Sequence, residues 1–491
     1  MFEEHADPIT GLCSFWFVHK PALSVLLGRD AKAVLNGSSS RNAIAFLNLH
    51  MENFLGAKAL TALMGKEWRL YRSAVHKSFT PGALQLSQSS INQVAITLSK
   101  TLLSVLSSEQ TNKIEHQVLP LMKMATMDVF GLVALNVDFE CCRQLQLTPV
   151  ASAFEYLTHE FTRRLTTPWD PTTWLYHIPF PSNRRHKAQR REIRQFITEQ
   201  IAKTRMRIAE AQQQGEGSTD NSSTGRDSEK LNQDLLTNIL KTARAEVSKD
   251  GHFSSADDVS DISDEAIIDI LMVLLFGGYD TTSITLSYAL YLLASNPDIE
   301  ATCLLEVNAV FGNMTDESII EKFHDVNQLQ YTKAFILETL RLFPPAPLTT
   351  RTLEKPLELH GHVFAKGTDI HVPIWSIQRD ARNFPKPMEV KPERWVRRSA
   401  DGFSWEERPD DDRLANEIPP ANFDAFCAFS AGARNCVGRK LALQEAVTLL
   451  ALLIRKIKFR LTDDSYEAKP NLTAVVQQPA GGLPMSITAR T

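Results

Sequence analysis

The chain has 491 residues, 43% of them hydrophobic and 22% charged, the make-up of a globular protein with a sizeable core. A net charge of −4 gives no basis for nucleic acid as a partner. Six cysteines, mostly far apart, do not form a secreted disulfide framework, and a reducing compartment follows.

In chain order, the opening MFEEHADPITGLCSFWFVHK carries acids early and lacks the apolar stretch of a signal peptide. FWFV is cut short by His19, Lys20 and Pro21. GKEWRLYRSAVHKSF places Trp68 and Arg72 four residues apart, an ordinary amphipathic spacing. Helical periodicity predicts helices over 83–108 and 113–135. The aromatic stretch TTPWDPTTWLYHIPFP (166–181) precedes RRHKAQRR, an order that suits either an anionic membrane interface or a packed loop. Helices are predicted at 186–211 and 231–247, separated by a Ser/Gly/Asp-rich segment (212–230) read as a mobile polar insertion.

A helix is predicted over 264–295, and its longest apolar run, 270–278, is shorter than the roughly 20 residues of a membrane span. No transmembrane anchor is therefore expected. Its GGYDTT (277–282) sets two glycines mid-helix, at about 1 kcal/mol each against alanine. It also places Asp280 and Thr281 among apolar neighbours, which is costly unless they are wet or functional. A kinked core helix with one satisfied aspartate accounts for the same residues. The predicted helix 328–342 carries Glu338 and Arg341 on one face, which in isolation is a surface ion pair.

Beyond it, 357–372 reads as a strand, a turn at Gly361, a turn at Lys366-Gly367 and a further strand. An acidic, Pro-closed segment (400–420) is a second polar insertion, and a helix is predicted over 437–457. The tail suggests a hairpin closed at 479–482. The architecture is mainly α with a minor β part, read as one domain over 1–491.

FSAGARNCVGRKLA (429–442) holds the chemistry. Cys436 falls at the start of an apolar helix, where the dipole and free N–H groups lower a thiol's pKa. Gly432 and Gly438 allow a tight turn and the approach of a flat object, and Arg434 offers a cation for a carboxylate. The glycines are one residue too far apart for a nucleotide loop, and no C-x-x-C, G-x-S-x-G or H-E-x-x-H occurs. An inert core thiol and a metal ligand both remain open at this point.

Phe429-x-x-Gly432-x-Arg434-x-Cys436-x-Gly438 resembles the complete haem-binding loop of the cytochrome P-450 monooxygenases of the eukaryotic microsomal type. Four more elements resemble that family's, in its order. Trp68 and Arg72 match the helix that serves one haem propionate. Gly277 to Thr282 match the oxygen-activation motif. Glu338-x-x-Arg341 precedes LFPPAPLTTR, whose Arg351 matches a second propionate cation. Lys391-Pro392-Glu393-Arg394-Trp395 matches the element whose arginine locks onto the Glu338–Arg341 pair.

The resemblance implies a helix-rich fold around haem b, with Cys436 as axial thiolate and Gly438 near its sulfur. It implies cofactor contacts at Trp68, Arg72, Gly277, Gly278, Arg351, Phe429, Gly432, Arg434 and Gly438, and catalytic roles for Asp280 and Thr281. Substrate contacts are expected at Leu275, Tyr279, Leu348, Thr349, Val476 and Gln477. The implied reaction hydroxylates or epoxidises a hydrophobic small molecule. Residues 162–187 are similar to microsomal fatty-acid hydroxylases, which points to a lipid-like, terpenoid or other secondary-metabolite substrate.

Electrons would come from NADPH through NADPH-cytochrome P-450 reductase, with cytochrome b5 as a further donor. Lys66, Arg69, Arg72, Lys77, Arg439 and Lys440 are candidates for a docking patch. The implied location is the cytosolic face of the endoplasmic reticulum through peripheral membrane contact, with the cytoplasm as alternative. Two departures, Gln378-Arg379 for His-Arg and Ala365-Lys366-Gly367 for Pro-Lys-Gly, are read as peripheral. FWFVHKPALSVLLGRDAKAVL resembles the first sheet strands and the helix between them, so the sequence is expected to start after the anchor helix and hinge of the microsomal type, being either shortened there or not anchored in the usual way. A haem-thiolate isomerase or dehydratase acting on a peroxide is the alternative reaction, and a non-catalytic haem scaffold a third reading. Asp280 and Thr281 favour the monooxygenase.

Overall fold

The computed structural model describes residues 2–17, 20–40, 45–108, 113–166, 178–217, 234–249, 262–399, 404–408, 422–471 and 476–490. Helix α1 (Phe2–His5) leads into strands β1 (Leu12–Phe17) and β2 (Lys20–Val25), which pair antiparallel. Helix α2 (Gly28–Gly37) follows both strands instead of lying between them. Next come α3 (Ala45–Leu55), α4 (Gly65–Lys77) and α5 (Pro81–Ser108).

Residues 114–117 are not helical as their periodicity predicts. They form strand β3 (Ile114–Gln117), because the tail of the chain offers a sheet edge to pair with. The helix begins after it as α6 (Val118–Phe130) and closes in a π turn, Gly131–Leu135. A short α7 (Cys141–Gln144), then α8 (Pro149–Thr166), α9 (Pro181–Gly217) and α10 (Leu235–Lys249) complete the first half. Helix α9 thus runs into the segment read as an insertion. Its remainder, 218–230, and the aromatic residues 167–177 lie outside the described residues.

Helix α11 (Asp264–Ser295) spans the predicted bounds. Ser263 caps it by accepting from the Ala266 N–H, and Asp264 and Glu265 in its first turn complement the dipole. Apolar on nearly every face, it forms the axis against which α6, α12 (Pro297–Phe311), α14 (Gln330–Leu342) and α16 (Arg439–Lys456) pack. Helix α13 (Asp316–Lys322) lies between α12 and α14 in the chain. The Val118–Leu135 and Asp264–Ser295 helices are long and apolar enough to cross a membrane, a property the longest apolar run does not reveal. They are 78% and 72% buried within the fold.

Between α14 and α16 the chain forms β4 (Thr349–Thr352), β5 (Leu357–Leu359), β6 (His362–Phe364), β7 (Asp369–Val372), α15 (Ile374–Ile377), β8 (Val396–Arg398) and β9 (Trp405–Glu407). The main sheet has the order β1-β2-β7-β4, so the first and last thirds of the chain share it. Part of the acidic 400–420 segment is strand β9, while 409–421 lies outside the described residues. Strands β10 (Ile457–Leu461) and β11 (Pro484–Ala489) pair with each other, and β11 also pairs with β3. The tail hairpin closes earlier than predicted: Pro470 bridges Pro479, and residues 479–482 lead into β11.

One carboxylate ties this second half together. Glu338 accepts from Arg341 Nε and Nη2, both at 2.9 Å, from Arg394 Nε at 3.3 Å, from Trp395 Nε1 at 3.1 Å and from the Lys391 N–H at 3.0 Å. Arg341 also donates to the carbonyls of Gln378 and Glu389, and Arg394 to those of Pro385 and Lys386. Glu338 and Arg341 are 0% exposed, so this is no surface pair.

Gln378 corrects a second expectation. Fully buried, it donates to the Leu340 and Arg341 carbonyls and accepts from the Cys427 N–H at 2.9 Å. It therefore joins the ion-pair helix to the approach of the cysteine loop, which is not a peripheral role. Glu338→Ala leaves two buried guanidiniums without their carboxylate and is expected to cost about 3–5 kcal/mol. Gln378→Ala should cost about 1–3 kcal/mol. Guanidinium-chloride unfolding midpoints check both.

Candidate active site

The cysteine loop is held in place by backbone contacts. Gly432 has φ +69°, and a Cβ there would come within 2.2 Å of the Leu35 carbonyl oxygen, so α2 presses on the loop where only glycine fits. Gly438 has φ −87° and open space around it, so its backbone does not demand glycine. The Cys436 N–H donates to the Phe429 carbonyl at 2.9 Å, closing the turn before α16. Arg439 lies 5.5 Å from the Phe429 ring centroid.

Above the loop is a cavity of about 710 Å³. Cys436 faces it, flanked by Phe429 and Val437. The opposite wall is α11, through Phe276, Gly277, Gly278, Thr281, Thr282 and Thr285. A Cβ on Gly277 would meet nothing within 4 Å, and one on Gly278 only Phe130 at 3.6 Å, so the two glycines leave an open, flat backbone face. Val129, Phe130, Val133 and Ala134 of α6 and its π turn close one side, and Leu348, Thr349 and Val476 another. Phe54, Phe161 and Phe276 cluster nearby, with Phe54 at 5.0 Å from Phe161 and 5.4 Å from Phe276, linking α3, α8 and α11.

Trp68, Arg72 and Arg434 line one edge of the cavity. Arg72 Nη2 donates to Asn435 Oδ1 at 2.6 Å, joining α4 to the loop. Arg434 lies 3.8 Å over the Trp68 ring and donates to the carbonyls of Ser39, Leu60 and Leu63. Arg351 is not at the cavity wall. Drawn into β4, it donates to Thr349, Thr350 and Ser430 Oγ, so it touches the cysteine loop and not the open space.

Of the expected substrate contacts, Leu348, Thr349 and Val476 line the cavity. Leu275, Tyr279 and Gln477 do not. At about 100° per residue, the helix face defined by Gly277, Gly278, Thr281 and Thr285 turns Leu275 and Tyr279 away. Gln477 is buried beside the segment after α14, its backbone N–H donating to the Pro345 carbonyl.

Asp280 also points away from the cavity, with Oδ1 3.4 Å from Lys123 Nζ. Thr281 does face it, its hydroxyl donating to the Gly277 carbonyl at 2.5 Å. The sequence reading missed Thr282 and Glu445, which line the cavity and are buried, and whose Oγ1 and Oε1 meet no hydrogen-bond partner among the described residues. A lone acid inside the apolar α16 was the available signal for Glu445.

The Cys436 thiol is pushed up by burial, against the Gly438 N–H and the Arg72 and Arg439 guanidiniums, which pull it down. The lowering expected from the helix terminus alone is therefore outweighed. Burial likewise pushes the Glu445 carboxyl well above the usual carboxylate range. A thiol facing a flat glycine wall across an apolar space, with cations at one edge, fits an iron-bearing planar cofactor with carboxylate substituents. The surface cations Lys66, Arg69, Lys77, Arg439 and Lys440 are exposed on α4 and the start of α16, the two elements joined at the Arg72–Asn435 contact.

The cytochrome P-450 family model matches residues 3–484. Human cytochrome P-450 4V2 is 25% identical over 446 residues, 90% of this chain and 76% of that protein. The mouse protein of the same name is 25% identical over 447 residues, 91% of this chain and 76% of that one. Cytochrome P-450 4d2 of Drosophila melanogaster is 24% identical over 477 residues, 97% of this chain and 86% of that one.

Because burial raises the Glu445 pKa in the folded state above its unfolded value of about 4.3, wild-type stability falls as pH rises from that value toward the raised folded pKa. Glu445→Gln should flatten this slope and add about 1–3 kcal/mol at neutral pH, read from unfolding midpoints between pH 5 and 8. Gly432→Ala should prevent the cysteine loop from seating on α2, lowering the unfolding midpoint.

Proposed function

The chain belongs to the cytochrome P-450 family, and from that premise we propose that it hydroxylates or epoxidises an extended, lipid-like or terpenoid substrate drawn from secondary metabolism, using electrons from NADPH-cytochrome P-450 reductase. It is a haem-thiolate monooxygenase that acts on a small molecule and depends on a redox partner. The bound haem supplies the activation of dioxygen. The observation that carries the reading is the cavity itself, with Cys436 on one wall and Gly277, Gly278 and Thr281 on the other.

Each wall has a task. Cys436 would hold the iron from the loop that Gly432 and Phe429 shape, with the Gly438 N–H beside its sulfur. Arg72 takes a carboxylate substituent, while Trp68 and Arg434 support that edge as a stacked pair. Arg351 acts through Ser430, positioning the loop. Thr281 presents its hydroxyl where oxygen and substrate meet, and Asp280 supplies its proton from the protein side. Leu348, Thr349, Val476 and the Phe276 ring orient an apolar substrate and exclude water. The exposed cations of α4 and α16 receive the acidic face of the reductase, with cytochrome b5 as a further donor. We place the protein at the cytosolic face of the endoplasmic reticulum membrane.

A reduced carbon-monoxide difference spectrum tests the assignment. The expected result is a red-shifted Soret band that Cys436→Ser abolishes, and a spectrum like that of a histidine-ligated haem overturns it. Thr281→Ala is expected to divert NADPH consumption toward hydrogen peroxide, with product formation down by about 10²-fold. Turnover that persists unchanged in this variant without any reductase would mean peroxide rearrangement instead.

A further inference from the structure

Asp280 faces a buried cluster assembled from three helices. Lys123 of α6 is 4% exposed, and its ammonium lies 2.7 and 2.9 Å from the two Glu155 oxygens of α8 as well as 3.4 Å from Asp280 Oδ1 of α11. The Tyr279 hydroxyl donates to Glu155 Oε2 at 2.5 Å. His159 Nε2, one turn along α8, lies 3.1 Å from Glu155 Oε1, and its side chain is 59% exposed. Among the described residues, an unbroken series of polar contacts thus runs from solvent at His159 to the acid beside Thr281.

We infer that His159, Glu155 and Lys123 form the proton entry of this enzyme, with His159 as its solvent-side terminus and Tyr279 as the group that orients Glu155. The inference rests on the monooxygenase reading, because splitting dioxygen into one inserted oxygen atom and one water consumes two electrons and two protons per turnover. The protons must reach the cavity across α11, whose wall there is glycine backbone and threonine.

The proton balance closes without any net change in the cluster. A proton from water binds the His159 imidazole, and Nε2 passes one to Glu155 Oε1. Lys123 gives a proton to Asp280 Oδ1 and recovers one from Glu155. The sum is one proton moved from solvent to Asp280, which hands it toward the Thr281 side of α11.

The charges suit this traffic. Burial alone would raise Glu155, but hydrogen bonds from His159, Lys123 and Tyr279 hold it down at about 2. Burial raises Asp280 against the pull of Lys123, so of the two acids Asp280 holds a proton the more readily. Burial opposes the Lys123 ammonium, yet Asp280 and Glu155 outweigh it. The groups facing His159 are Glu155, whose hydrogen bond raises its pKa, Asp280, which acts in the same direction, and Lys123, which opposes them. A raised histidine pKa keeps the imidazolium donor populated into the neutral range.

A merely structural cluster predicts none of the following. The holoprotein, reconstituted with NADPH-cytochrome P-450 reductase and no added substrate, is assayed for NADPH oxidation and peroxide release. In the wild type, the share of NADPH leaving as peroxide should rise with pH as the imidazolium is lost. His159→Gln, at an exposed site, should slow water-forming turnover about tenfold, less than the 10²–10⁴-fold worth of a buried proton donor. It should also abolish that pH limb and enlarge the solvent deuterium isotope effect. Arg163→Gln, on the same helix but paired with Glu160, should change none of these.

Independently of turnover, the His159 nitrogen resonances should titrate above the ordinary 6.5 and move down in Glu155→Gln. A wild-type pH profile and isotope effect in His159→Gln, the same shift in Arg163→Gln, or a His159 midpoint at or below 6.5 overturns the relay. If the wild-type holoprotein oxidises no NADPH at all, the monooxygenase reading falls with it.

Discussion

The buried Glu338 carboxylate is the constraint on which the second half of the molecule depends. Two arginines, an indole and a backbone N–H converge on its two oxygens. Two guanidiniums on one carboxylate would leave excess positive charge in the interior, and the protein answers with four backbone carbonyls, those of Gln378, Glu389, Pro385 and Lys386. Such a network gives less stability than an apolar core of equal volume, but it tolerates only one arrangement of its segments. Gln378 extends that arrangement to Cys427, nine residues before the candidate iron ligand. The position of the thiol is therefore fixed by polar geometry several links away.

Helix α11 divides the chemistry in two. One face is bare backbone and threonine, open to the cavity. The next residue round, Asp280, looks outward into a charged cluster. An acid on the cavity face would compete with an apolar substrate for space and drag water in with it. Turned away, it meets the Lys123 ammonium behind the wall. The price is a lysine buried among apolar neighbours, tolerated because Glu155 and Asp280 both meet it.

Much of this was legible in the sequence where the signal is local. The bounds of α11 follow from Ser263, the acids after it and an unbroken apolar run, and the strands between 357 and 372 follow from Gly361 and Gly367. The residues around Cys436 identify the family because their spacing is short and fixed. The direction in which a side chain points was not legible. Tyr279 and Leu275 share a helix with Gly278, and only the placement of α6 and α8 decides which face meets the cavity. Strand β3 was hidden for the same reason, since its partner lies more than 360 residues away in the tail. Lys123 gave a fainter clue, the one basic residue in VLPLMKMATMDVF, but its two acids belong to distant helices. The hydrogen bonds of Arg351 and the buried role of Gln378 were hidden because a motif names a residue without naming its partners.

The press of α2 against Gly432 reaches beyond the folded state. Arg434 completes the same junction by donating to carbonyls 371 to 395 residues earlier in the chain. Such contacts carry the full entropy of closing a very long loop, so they form late in folding. During synthesis these contacts cannot form until the chain has emerged past residue 434. The socket for the iron is then completed in one closing step, and a chain that stops short of residue 434 has no means of gripping its cofactor.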